Sequence, residues 1–159
     1  MRTIIQRVKS ASVTVDGQLV SSISKGLLVL AAVSKDDTEK DIDSMASKIL
    51  KTKLWDDDSK DPPGRWKCSV QDIGGEVLCV SQFTLLASVK KGNKPDFHQS
   101  ASGDKARSLY QTFYNKVGEL YEPSKVKDGV FAAMMDVALV NDGPVTIQID
   151  TNPPKVEIQ

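Results

Sequence analysis

One histidine, His98, stands in 159 residues, and no HExxH, GxSxG, Walker or CxxC pattern accompanies it. Those absences exclude the common zinc-protease, nucleophile-elbow, P-loop and dithiol chemistries. Net charge is also missing. Lysine and arginine number 21 against 21 aspartates and glutamates, so a nucleic-acid partner must be met by a local patch. Cysteine is scarce. Cys68 and Cys79, with ten residues between them, lie in strand-like text and read as two reduced, partly buried thiols, which fits a cytosolic setting. Long apolar runs are absent, and Gln6 and Arg7 interrupt the first one. The start therefore does not read as a signal peptide, and no stretch has membrane-spanning length. The expectation is a cytoplasmic protein with no membrane partner.

What is present has the patterning of a folded domain large enough to bury a core without metals or disulfides. Residues 2–15 alternate as a strand, Asp16-Gly17 is a hairpin turn, and a return strand runs to about Ser24. Leu27 to Val33 is an unbroken apolar run, suited to a strand covered on both faces. Asp36 and Glu39 have capping-box spacing. Ile42, Met45, Ala46, Ile49 and Leu50 then recur at helical intervals. Lys53-Leu54-Trp55 reads as a short strand. Asp56 to Trp66, acidic and holding Pro62-Pro63-Gly64, reads as an exposed loop with a solvated tip.

A strand is expected from Glu76 to Leu86, and a cationic loop from Lys90 to Asp104. A second amphipathic helix starts at Gly103 and runs through Ala106, Leu109, Tyr110, Phe113, Val117 and Leu120. Phe131, Ala133, Met135, Val137 and Leu139 alternate as one strand face. Gly143-Pro144 interrupts that strand, and Val145 to Asp150 forms the last one. The reading is α+β: one domain over residues 1–150, mostly antiparallel strands with two amphipathic helices, and a loose tail over 151–159.

Two strings stand out at the ends of apolar runs: Ser81-Gln82-Phe83-Thr84-Leu85 and Asn141-Asp142-Gly143-Pro144-Val145-Thr146. Together they resemble the D-aminoacyl-tRNA deacylase family, the D-tyrosyl-tRNA deacylases of older naming. Ile5-Gln6-Arg7-Val8, Ala11-Ser12-Val13-Thr14-Val15 and Gly92-Asn93-Lys94-Pro95-Asp96-Phe97-His98 extend the likeness, the last string being closer to eukaryotic members. Trp66-Lys67-Cys68-Ser69-Val70 departs from the Met-Asn-Leu-like segment of bacterial members. A sister group carries Pro-Gln-Ala-Thr and a trans Gly-Pro; Ser81 and Phe83 place this chain outside it.

The resemblance implies a homodimer with its active site at the subunit interface and no metal or organic cofactor. The implied substrate is the ester joining a D-amino acid to the 3′ end of tRNA, with glycine also accepted because the family rejects L side chains. Gly143-Pro144 taken alone is a turn between strands. In the family this dipeptide enters the neighbouring subunit's pocket, where a cis bond would turn two carbonyl oxygens the same way, to receive the α-ammonium and block an L side chain.

Thr84 could be a nucleophile, but a threonine hydroxyl needs a base. The preferred reading has it as a positioning residue, with backbone N–H groups around Phe83 and Thr84 forming an oxyanion hole, a contribution of about 3 kcal/mol per donor. The vicinal 2′-hydroxyl of the tRNA is then the group that activates water, and Gln82 is placed to bond the terminal adenosine. Arg7, set among apolar residues, needs partners and is expected to brace the Gly-Pro segment. Asn141 belongs with it. Phe131 and Met135 are either core or pocket floor. Lys90, Lys91 and Lys94 are expected to meet tRNA phosphates. His98 is left out of the catalysis. The competing reading is a non-enzymatic, dimeric nucleic-acid-binding module with a vestigial pocket.

Overall fold

The computed structural model describes residues 1–152. Ten regular elements follow one another: β1 (Arg2–Val15), β2 (Gln18–Ile23), β3 (Gly26–Ala32), α1 (Glu39–Lys51), β4 (Trp55–Asp57), β5 (Gly64–Cys68), β6 (Glu76–Ser81), α2 (Gly103–Leu120), β7 (Val126–Asp128) and β8 (Asp136–Asp150). The fold is α+β, as the element pattern implies. The main sheet runs β2-β1-β3-β6-β7, with β8 also pairing β1, while β4 and β5 form a separate hairpin. The pairs made by β1 are antiparallel, whereas β3, β6 and β7 are mutually parallel. Such parallel neighbours need a crossover, and α1 and α2 lie in the two connections.

β3 shows why its sequence lacks alternation. Leu27, Val29 and Ala31 enter a core shared with both helices. Leu28 enters a second cluster with Val8, Ala11, Val13, Ile23, Leu78 and Val80. Both faces are covered, so both parities are apolar. α1 contributes Ile42, Met45, Ala46, Ile49 and Leu50 to the first core, and α2 contributes Leu109, Tyr110, Phe113 and Val117.

β1 carries a fault that its alternation conceals. Val8 and Ala11 enter the same cluster although they are three positions apart, which an unbroken period of two forbids. The ladder to β8 resolves this. Val8 pairs Asn141 while Ser10 pairs Val140, so Lys9 is an extra residue. A bulge of this kind exchanges the two faces of a strand.

Several expectations are corrected. Helix α1 is capped by Thr38, whose N–H donates to the Asp41 carboxylate at 2.9 Å, and not by Asp36 with Glu39. β6 ends at Ser81, and Phe83–Leu86 turns into a 3₁₀ helix. Part of the expected 56–66 loop is the β4–β5 hairpin. Phe131 to Met135 is not strand: Ala132 has φ of 64°, and β8 starts at Asp136. Gly143-Pro144 does not end β8, which resumes pairing with β1 at Thr146.

The expected tail begins in ordered structure. The Thr151 N–H donates to the carbonyl of Met1 at 3.0 Å. Residues 153–159 of that expectation lie outside the described residues. Cys68 and Cys79 are free thiols, and burial pushes the Cys79 thiol far up. Among the described residues no helix is long and apolar enough to cross a membrane.

Candidate active site

β6 carries Val77 to Val80 into the core and delivers Ser81 to the surface beside Ala31 of β3. The Gln82 N–H still bonds the carbonyl of Ala31 at 2.8 Å, after which the chain leaves the sheet. The first turn of a 3₁₀ helix leaves its leading N–H groups unspent. Accordingly, the N–H groups of Phe83 and Thr84 donate to no other described residue. The Thr84 hydroxyl accepts from the Gln82 amide at 3.2 Å.

Above this corner lies a cavity of about 440 Å³. Ser81, Gln82, Phe83 and Thr84 form one wall, and Phe131 to Met135 form another. The turn at Ala132 brings Phe131 and Met135 into the cavity lining, while each also packs against a core cluster. Phe131 is held from two sides. Its ring centroid is 5.8 Å from that of Tyr110, and the Arg107 guanidinium lies 4.6 Å above it. Behind it the Tyr110 hydroxyl donates to the Asp128 carboxylate, whose pKa is raised by burial.

The third wall was not foreseen. Ser100, Ala101, Gly103 and Ala106, with Val33, complete the lining, and the Ser100 hydroxyl donates to the carbonyl of Phe83 at 3.4 Å. Gly103 and Ala106 are small and three apart at the start of a helix, a spacing that leaves room on one face. That was the available signal. Among the described residues, the lining holds no aspartate, glutamate, histidine, lysine or arginine. His98 is remote from such a role, with a side chain 87 % exposed and its Nδ1 2.8 Å from Asp96.

Phe83 itself is half exposed and meets Phe97 edge-on at 5.0 Å. Phe97 follows a loop closed by the Ser88–Asp96 bridge, and this loop holds Lys90, Lys91 and Lys94, all exposed. None of the three lines the cavity.

Gly143 and Pro144 belong to a different place. Gln6 pairs Thr146 and Val8 pairs Asn141, so Arg7 alone stands opposite residues 142–145. That four-residue excursion leaves the ladder with a cis Gly143–Pro144 bond and Gly143 at φ 140°. Asn141 closes its base: its carboxamide oxygen accepts from Val145 N–H at 2.7 Å, and its amide donates to the Val145 carbonyl at 3.1 Å. Arg7 holds its flank. Nε donates to the Asp142 carbonyl at 2.9 Å, and Nη1 donates to the carbonyl of Leu54. Both Gly143 and Pro144 stay exposed.

The excursion does not reach its own chain's cavity. Arg2 marks the cavity end of β1, since its Nη1 donates to the Leu85 carbonyl at 3.1 Å. Arg7 is five residues further along, a strand distance of roughly 17 Å. Accordingly Arg7, Asn141, Gly143 and Pro144 are absent from the lining.

Comparison with known proteins agrees across the chain. The family model described as D-Tyr-tRNA(Tyr) deacylase matches residues 4–150. A Yarrowia lipolytica protein named D-aminoacyl-tRNA deacylase is 61% identical over 152 residues, covering 95% of this chain and 97% of that one. A solved structure named c-Myc DNA Unwinding Element Binding Protein superposes with a TM-score of 0.90 at 44% identity, covering 97% of this chain and 100% of that chain. A second, described as a probable eukaryotic D-amino acid tRNA deacylase, has a TM-score of 0.80 at 19% identity over 93% of this chain and 97% of that chain, and shows the shared fold. With the cavity at the Ser81–Thr84 corner and the match spanning nearly every described residue, the chain belongs to the D-Tyr-tRNA(Tyr) deacylase family and is a hydrolase of the D-aminoacyl-tRNA deacylase kind.

Proposed function

We propose that this chain hydrolyses the ester of D-aminoacyl-tRNA, and of glycyl-tRNA mischarged on other tRNAs, as a cytoplasmic homodimer that proofreads chirality in translation. Water adds to the ester carbonyl carbon, the bond from that carbon to the ribose 3′ oxygen breaks, and the 3′ oxygen takes the proton. The products are free tRNA and the free amino acid.

The observation that carries this reading is a cavity lined, among the described residues, without any ionisable side chain. A site of that kind can stabilise a tetrahedral oxyanion through the unspent N–H groups of Phe83 and Thr84, but it holds no base to activate water. The vicinal 2′-hydroxyl of the substrate supplies that function. Gln82 reaches the terminal adenosine, and Phe131 and Met135 form the floor. Lys90, Lys91 and Lys94 take backbone phosphates from the rim, a contact blind to sequence and weakened by salt. No cofactor takes part.

Gly143 and Pro144 act across the dimer. They project about five residues away from their own cavity, so a two-fold axis brings them to the other copy's cavity and makes two equivalent sites. There they occupy the space an L side chain would need, and glycine, lacking Cβ, meets no obstacle.

The test is hydrolysis of matched D- and L-aminoacyl-tRNA and of glycyl-tRNA by the pure protein. The D ester is expected to be lost far faster than the L ester, with the glycyl ester close to the D rate. Equal D and L rates would remove the chiral role, and binding without hydrolysis would favour a nucleic-acid-binding module instead.

A further inference from the structure

Trp66 has a conformation and an exposure that the fold does not explain. The residue is 54% exposed. Its φ is 54°, in the left-handed region that bulky residues rarely enter. It also sits in a bulge: Trp55 pairs Cys68 and Asp57 pairs Gly64, so Asp56 alone faces Arg65, Trp66 and Lys67. Bulges re-aim side chains, and costly backbone conformations persist where the surroundings impose them. Here the cost brings no core contact in return.

The direction in which Trp66 is aimed ties it to the Gly-Pro excursion. The Arg7 guanidinium lies 5.9 Å from the Trp66 ring centroid, and the same guanidinium holds the Asp142 carbonyl. Trp66, Arg7 and the Gly143-Pro144 segment are therefore one block. Phe83 and Phe97, the other exposed aromatics of large area, are already engaged with each other.

We infer that Trp66 is a nucleobase-stacking residue that accompanies Gly143 and Pro144 to the second copy's cavity and takes an unpaired base of the single-stranded RNA 3′ end. The inference rests on the cross-subunit reading proposed above. Stacking suits the surroundings better than charge does. Residues 53–67 carry four cations and four carboxylates, so the hairpin has no net field to offer phosphates. Every base presents a π-face, so a single indole serves many tRNAs.

The experiment compares wild type, Trp66→Gly and Trp66→Phe for binding of deacylated tRNA, with thermal melting alongside. Glycine is at home at φ 54°, so the melting temperature of Trp66→Gly should hold or rise. Its affinity should nonetheless fall at least about fivefold and up to about 150-fold, the range that one stacked base supplies. Phenylalanine keeps a π-face and should restore more than half of that loss on a logarithmic scale. The loss should be the same at low and high salt, because no counter-ion is released by stacking. Trp55, the only other tryptophan, is 5% exposed, so quenching of wild-type fluorescence by tRNA should disappear in Trp66→Phe.

A loss below about fivefold in Trp66→Gly overturns the inference. So does a Trp66→Phe variant as weak as Trp66→Gly, or a loss that vanishes with salt. Because deacylated tRNA is the probe, the readout is independent of hydrolysis. A wild type that binds through Trp66 without hydrolysing loses the proposed activity and keeps the stacking residue. One that hydrolyses while Trp66→Gly binds normally loses only the stacking residue.

Discussion

Arg7 Nε donates to the main-chain carbonyl of Asp142 at 2.9 Å, so a β1 side chain takes the place of the ladder bonds that the Gly143-Pro144 excursion gives up. The guanidinium also lies 3.8 Å from the Asp142 carboxylate and bonds the Leu54 carbonyl. One planar, forked donor thus fastens the excursion to the β4 side of the domain.

Replacing that fork should release the excursion without dissolving the domain. Arg7→Met is expected to lose D-aminoacyl-tRNA hydrolysis by at least tenfold and to narrow the D-to-L rate ratio. Stability should fall by about 1.5–3 kcal/mol, the range for a lost charged hydrogen bond. Arg7→Lys should recover little, because an ammonium cannot reproduce the fork. Denaturant melts together with D and L rates check this, and an Arg7→Met enzyme with wild-type selectivity would refute it.

Gly143→Ala tests the same segment by crowding. An added Cβ would stand 2.8 Å from Val145 Cγ2, 3.0 Å from Val145 N and 3.2 Å from Arg7 Nη2, at a φ of 140°. The excursion must shift to admit it, at a cost of about 1–3 kcal/mol. Activity should fall more than tenfold while α1 and α2 keep their helical signal in circular dichroism.

Thr84 separates side-chain from substrate-assisted chemistry. Thr84→Ala loses the hydroxyl that Gln82 bonds and keeps the backbone N–H groups. It should retain activity within about tenfold, since a neutral hydrogen bond contributes about 0.5–1.5 kcal/mol. A tRNA lacking the terminal 2′-hydroxyl should lose far more. Single-turnover hydrolysis on both substrates decides the matter: an inert Thr84→Ala that still binds would make threonine the nucleophile.

Complementation tests the shared site. Phe83→Pro removes one N–H donor at the first position of a 3₁₀ turn, where proline is tolerated. Pro144→Arg blocks the other half of the site. Each homodimer should be inactive. After subunit exchange, the mixed dimer should hold one working site, because both lesions then fall in the same remaining cavity. Light scattering should show a dimer throughout, and a fully active monomer would overturn the arrangement.

Asp128 carries a pH signature that can be isolated. Burial raises its pKa above the usual 3.8, against the opposing hydrogen bonds from Tyr110 and Gly129. A carboxyl with a raised folded pKa stabilises the fold fully below its unfolded pKa, and that contribution is lost as pH rises through the folded value. Asp41, Asp72, Glu76 and Asp150 are shifted downward and act in the opposite sense, but wild type and Asp128→Asn share them. The melting temperature of Asp128→Asn relative to wild type should therefore rise between pH 4 and pH 7. A flat difference would contradict the buried ionisation.

Features carried by neighbours in sequence were legible without coordinates. The α1 stripe from Ile42 to Leu50 and the α2 stripe from Leu109 to Val117 are set by side chains three and four apart. The two-sided burial of β3 is written in its lack of alternation, and the Ser81–Thr84 and Asn141–Thr146 strings carried the family. What depends on register was not legible. The face exchange at Lys9 and the matching of Arg7 against four residues of β8 arise only when two distant strands pair. The turn at Ala132 reads as strand because Phe131, Ala133 and Met135 alternate. Only packing against Tyr110 and the α2 start shows that they close a cavity. Alternation reports which side chains share a face if the backbone is extended. Whether it is extended is decided by the partner strand, and β8 meets β1 only from Asp136 onward.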